Sequence, residues 1–142
     1  MTNGNAIRRS VAIVVAAIAM IYAASQAQAP PRVIEISADS DSRYRIAGQR
    51  SPEITAKAGE QILFRLTAHK AKSRNRDGSI HGFTLLRAKD RTRVDGWDLL
   101  LKPGTQEFLL TVPSEPGDYV IVCTVICSED HEGMHMKFTV TP

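Results

Sequence analysis

Cysteine is scarce in this 142-residue chain, aromatic residues make up 6% of it, and tryptophan occurs once. The two cysteines exclude a disulfide-dense scaffold and leave either one bridge or a pair of ligands. A large excess of one charge is missing as well. Arg8 and Arg9 sit in a segment with no acid before Glu35, and setting those two aside leaves 16 basic against 15 acidic residues. The formal net charge of +3 is therefore no electrostatic footprint for nucleic acid, and no nucleic-acid partner is expected. A catalytic triad, a paired-carboxylate motif and a phosphate loop are all absent, so no substrate turnover is expected from the chain alone. Internal repeats and low-complexity segments are absent too. With 43% hydrophobic and 23% charged residues, what remains fits one globular domain.

One long apolar run is present. Residues 6–10 form a short basic start, fourteen apolar residues follow from Val11 to Ala24, and residues 25–29 supply the small side chains a signal peptidase accepts before Pro30 and Pro31. Those fourteen residues would extend about 21 Å as a helix, against a hydrocarbon core of about 30 Å. The shortfall favours a cleaved signal peptide over a retained membrane anchor for residues 1–29, and the paired arginines match a twin-arginine signal only weakly. On either reading residues 30–142 are expected in the periplasm or another extracytoplasmic space, soluble or tethered by the N-terminal helix.

Beyond Arg32 no helical periodicity is found. Short runs at 32–37, 42–46, 54–57, 61–67, 79–86, 96–101, 106–112, 118–123 and 134–140 read as strands, with Gly48, Pro52, Pro103-Gly104, Pro113, Pro116-Gly117 and Gly133 as turn signals. This punctuation predicts an all-β Greek-key sandwich. Residues 70–77 and 87–95 are polar and basic and read as exposed loops.

The chemistry lies between the last two predicted strands. Cys123, Cys127, His131 and Met134 fall within twelve residues. Thiolate, thioether and imidazole together select copper or zinc over magnesium or calcium, and the thioether favours copper. A Cys123–Cys127 disulfide is the competing reading in an oxidising compartment. Four extended residues span about 13 Å, whereas bridged Cα atoms lie within about 7 Å, so a bridge would need the same turn as a metal site. His131 and Met134, which a disulfide does not need, weigh towards the metal. Upstream, His81 alternates with Ile80 and Gly82-Phe83 and is a further candidate ligand. His69 reads as surface. His135 should point away from Met134, to solvent, and Met136 shares the face of Met134 as a core residue. Glu129, Asp130 and Glu132 read as a solvated acidic rim.

The pattern Cys-x3-Cys-x3-His-x2-Met with an upstream His-Gly-Phe resembles the cupredoxins of the CuA type: the periplasmic domain of cytochrome c oxidase subunit II and the carboxy-terminal domain of nitrous oxide reductase. The resemblance runs roughly from Arg43 to Thr141 and includes Ala58-Gly59-Glu60, Pro103-Gly104 and Pro116-Gly117-Asp118-Tyr119. It implies a dinuclear copper centre with Cys123 and Cys127 as bridging thiolates and His81 and His131 each capping one copper. Met134 would be a weak axial ligand, and the Val125 backbone carbonyl the opposite axial donor. It further implies an electron-transfer role with a redox partner protein: a c-type cytochrome, an oxidase or another copper protein. The chain differs from the family at Val125, where a polar or acidic residue is usual, and at Ser128, where glycine is.

Two other readings fit the same residues. One is a periplasmic copper carrier or metallochaperone that binds one copper reversibly. The other is a mononuclear cupredoxin using His81, Cys127, His131 and Met134, with Cys123 a bystander. Lys70, Lys72, Arg74 and Arg76 before His81, and Arg87, Lys89, Arg91 and Arg93 after it, would give a basic sector if both loops lie at the metal end. An acidic or apolar redox partner is then expected in preference to a strongly basic cytochrome c.

Overall fold

The computed structural model describes residues 29–142, apart from the His131 side chain. The expected signal or anchor, residues 1–29, lies outside the described residues except for Ala29. Residues Pro31–Pro142 form one compact unit. Among the described residues no helix is long and apolar enough to cross a membrane.

Among the described residues nine strands build two sheets: β1 (Arg32–Ala38), β2 (Tyr44–Arg45), β3 (Glu53–Lys57), β4 (Gln61–Ala68), β5 (His81–Arg87), β6 (Arg93–Leu101), β7 (Gly104–Thr111), β8 (Gly117–Val122) and β9 (His135–Thr141). One sheet runs β2-β1-β4-β7 and the other β3-β9-β8-β5-β6. The pairs β1–β4 and β3–β9 are parallel, the remainder antiparallel. The all-β sandwich expected from the sequence is therefore present.

Period-two alternation builds the core between the sheets. In β4, Ile62, Phe64, Leu66 and Ala68 are buried while Leu63, Arg65 and Thr67 are half-buried. In β9, Met136, Phe138 and Val140 are buried opposite exposed His135 and Lys137. Phe64, Trp97 and Phe138 meet edge-on at the centre, with successive ring centroids 5.4 Å apart.

The sequence reading of 87–95 as a loop is corrected. Arg87 closes β5 and Arg93 opens β6, which leaves a short hairpin turn between them. β6 is an edge strand of its sheet, and an edge strand with one wet face carries polar residues without cost. Residues 70–77 do form an exposed connection. β5 carries seven residues at about 3.3 Å each, so the 88–92 turn lies about 20 Å from His81, at the opposite end of the sandwich.

Candidate metal centre

Strand parity brings the site together. His81, Phe83 and Leu85 share one face of β5, and all three are fully buried. Cys123 continues the inward row of Tyr119 and Ile121 just past β8, and Met134 continues that of Met136 and Phe138 just before β9. The β8–β9 register pairs Ile121 with Met136 and Val122 with His135. The Cys123 N–H then donates to the Met134 carbonyl at 3.1 Å. Three neighbouring strands thus deliver His81, Cys123 and Met134 inward at one end of one sheet.

The ligand atoms of His81, Cys123 and Cys127 all lie within 4.8 Å of one another. Both cysteines are free thiols, and their sulfurs are 3.8 Å apart. A metal–thiolate bond is about 2.3 Å, so sulfurs 3.8 Å apart are close enough to share one ion. The Gly82 N–H donates to Cys123 Sγ at 3.2 Å, and Cys123 Sγ lies 3.2 Å from the Val125 carbonyl. Burial first, and neighbouring Cys127 in addition, push the Cys123 thiol up to about 11. A metal must therefore displace a proton that the empty site holds firmly.

His81 carries the decisive electrostatics. Both ring nitrogens are buried without a hydrogen-bond partner, the only such side-chain atoms among the described residues. An unpaired buried polar group costs about 1–3 kcal/mol. Burial pushes the His81 pKa down against a weaker opposing pull from the His69 backbone, which stands outside hydrogen-bond geometry of either ring nitrogen; the ring stays neutral with a lone pair to offer. A neutral imidazole beside two soft sulfurs is the donor set of copper or zinc.

The fold has known counterparts. Auracyanin A, a "blue" copper protein from the green thermophilic photosynthetic bacterium Chloroflexus aurantiacus, superposes with a TM-score of 0.55 at 19% identity, covering 79% of this chain and 100% of that one. A chain of a heme-copper terminal oxidase dimer gives 0.52 at 14% identity, covering 96% and 97%. Auracyanin B gives 0.52 at 17% identity, covering 82% and 94%. The fold is cupredoxin-like. No family model and no curated protein matches the sequence.

Within this cupredoxin-like frame the remaining expected residues are placed as follows. Val125 and Met134 are each 1% exposed, in the same buried cluster as both cysteines. His131 opens a 3-10 turn, His131–Gly133, that leads into Met134; its side chain is outside the described residues. His69 and His135 are exposed, as expected, and Glu129, Asp130 and Glu132 are exposed too. The 70–77 loop is tied to the ligand loop: Ser73 N–H donates to the Cys127 carbonyl at 3.2 Å, and its hydroxyl to the Ile126 carbonyl. Of the two basic runs, only this one lies at the metal end.

Sequence reading missed three neighbours of the sulfurs. Tyr44, buried in the core, donates its hydroxyl to the Gly82 carbonyl at 2.5 Å, and burial raises its pKa well above the usual value. Gly82 packs so closely that a Cβ there would stand 2.5 Å from Thr124 N. Ser42 reaches Cys127 from a turn eighty-five residues away in sequence. A glycine inside a strand is a signal of close backbone approach and could have revealed Gly82; the two hydroxyls carry no local signal.

Proposed function

We propose that this chain is a copper-binding electron-transfer domain with a dinuclear CuA-like centre. The observation that carries the reading is a fully buried imidazole with both nitrogens unpartnered, beside two reduced thiols. That arrangement is costly without a metal, and the cost is expected only where a metal repays it.

Cys123, Cys127, His81 and His131 would hold the copper pair, and Met134 with the Val125 carbonyl would add weaker donors. The copper pair supplies a one-electron couple when bound. The protein's part is to keep the ligands rigid, exclude water and orient the sulfurs. His81, Cys123 and Met134 are anchored by three adjacent strands, so little reorganisation accompanies a change of charge. The closeness of Cys123 Sγ to Cys127 Sγ, 3.8 Å, speaks for a bridging role and against Cys123 as a bystander. We place the domain outside the cytoplasm, exported or tethered by residues 1–29. It exchanges electrons there with a redox partner, in or beside a terminal oxidase.

Copper titration with electron paramagnetic resonance tests this. Two coppers per chain and one unpaired electron shared over both are expected, with Cys123→Ser abolishing the shared signal. A four-line pattern from a single copper, unchanged in Cys123→Ser, would replace the dinuclear reading with the mononuclear one.

A further inference from the structure

Two hydroxyls that the ligand motif does not contain stand against one of its sulfurs. Ser42, in the β1–β2 turn, is 4% exposed and places Oγ 3.7 Å from Cys127 Sγ and 2.6 Å from Ser128 Oγ. Ser128 Oγ accepts the Asp130 N–H at 3.1 Å. The Ser42 backbone sits at φ +59°, the left-handed region that residues with a Cβ enter only at a cost. The turn requires it: Ser42 N–H donates to the Asp39 carbonyl at 3.0 Å, and Asp39 N–H to the Arg43 carbonyl at 2.9 Å. Glycine or asparagine meets that backbone demand more easily. Neither would bring a hydroxyl to the sulfur.

We propose that Ser42 is a positioning residue for Cys127, donating its hydroxyl proton to that sulfur while Ser128 fixes the direction of the donation. The inference rests on Cys127 being a copper thiolate, as proposed above. A metal-bound thiolate has no proton and only accepts. Each hydroxyl has one proton to give. Because the thiolate only accepts, the Ser42 proton is committed to Cys127 Sγ, and the 2.6 Å contact between the hydroxyls then runs from Ser128 O–H to Ser42 Oγ. The two sulfurs are then served by different kinds of donor. Cys123 receives the Gly82 peptide N–H, which cannot change without moving β5, whereas Cys127 receives a side chain. A hydrogen bond draws charge from a thiolate and favours the reduced centre, so Ser42 sets the balance of electron density between the sulfurs.

Ser42→Gly is the probe, because glycine relaxes the positive φ and deletes the hydroxyl. In the copper-loaded full chain, Ser42→Gly is expected to retain its copper and change the hyperfine splitting. Its reduction potential is expected to fall by the equivalent of about a tenfold change in the oxidised-to-reduced ratio, about 59 mV for one electron. Ser128→Ala is expected to move both readouts in the same direction by less, and the double variant no further than Ser42→Gly. In the copper-free reduced protein, the Cys127 S–H infrared band, assigned by its loss in Cys127→Ser, is expected to shift in Ser42→Gly. A potential and splitting unmoved in Ser42→Gly would overturn the proposal. Loss of copper from a folded Ser42→Gly would overturn it too, since a positioning residue is not a ligand. Should the parent protein take up no copper, the proposed function falls and the S–H band alone decides. A shift then upholds the hydroxyl–sulfur contact, and an unmoved band refutes it.

Discussion

Replacing His81 by leucine should stabilise the copper-free protein while destroying its capacity to gain stability from copper. The imidazole is fully buried and neither nitrogen has a partner. One unpaired buried polar group costs about 1–3 kcal/mol, and an apolar replacement of similar volume usually costs less than about 1.5 kcal/mol in packing. At mid-range values the balance is a gain of about 1 kcal/mol, which for a domain of this size raises Tm by roughly 4 °C. Copper reverses the order. A ligand at a thousand times its Kd adds about 4 kcal/mol to the protein that binds it, and His81→Leu forgoes most of that. Thermal unfolding of both proteins under a thiol reductant, with and without copper, measures all four states. The pH dependence supplies an internal check. Burial holds the His81 pKa below its ordinary value, so below about pH 6.5 the unfolded chain takes up a proton there before the folded one does. The His81 contribution to the stability of the copper-free protein is therefore fully present above that pH and is lost as pH falls towards the folded pKa, a slope that His81→Leu should lack. A copper-free His81→Leu protein less stable than wild type by 1 kcal/mol or more would show that the imidazole is satisfied, and the argument for a metal would lose its main support.

Gly82→Ala should lower Tm by about 5–12 °C, from an overpacking cost of about 1–3 kcal/mol, because the new Cβ meets Thr124 N and Oγ1 at 2.5 Å. It should weaken copper binding as well, since Thr124 follows Cys123; an unchanged melt and titration would refute the close approach. Met134→Leu should retain copper and raise the reduction potential, as loss of a weak axial donor disfavours the oxidised form; voltammetry checks the sign. Neutralising Lys70, Lys72, Arg74 and Arg76 to glutamine should slow electron exchange with an acidic partner and flatten its salt dependence, measured by stopped flow. The same neutralisation at Arg87, Lys89, Arg91 and Arg93, about 20 Å away along β5, should change neither.

Much of the fold could be read from alternation. Ile62, Phe64, Leu66 and Ala68 announce β4, and the opposed faces of Met134 and His135 follow from parity alone. Two kinds of feature were illegible. The start of β6 at Arg93 is polar because one face of an edge strand is wet, so its composition matches that of a loop. The hairpin between β5 and β6 also hides a register shift between Thr84 and Leu86, which nothing in the residue pattern marks. In the candidate site, the motif itself brought Cys123, Cys127 and Met134 into view, and His81 entered through its strand context. Ser42 and Tyr44 could not be found this way. Their contacts with the ligand elements cross from one sheet to the other, and an isolated serine or tyrosine in a short strand looks like any surface or core residue. The same limit explains why only the 70–77 half of the conditional basic sector stands at the metal end, since sequence proximity to His81 does not say to which end of β5 a loop belongs.

The parallel pairing of β3 with β9 has a consequence for how the protein comes into being. β3 has no other neighbour in its sheet, and its register runs from Glu53 opposite Lys137 to Lys57 opposite Thr141. A growing chain that has just completed Met134 already carries all the expected ligands, yet it lacks the strand that seats them. Such distant pairings are slow to form, because loop closure must precede any gain from contact. The site is thus a late product of folding, and metal insertion is a step taken by a finished protein: truncating β9 should leave a peptide that contains the whole motif and cannot assemble it.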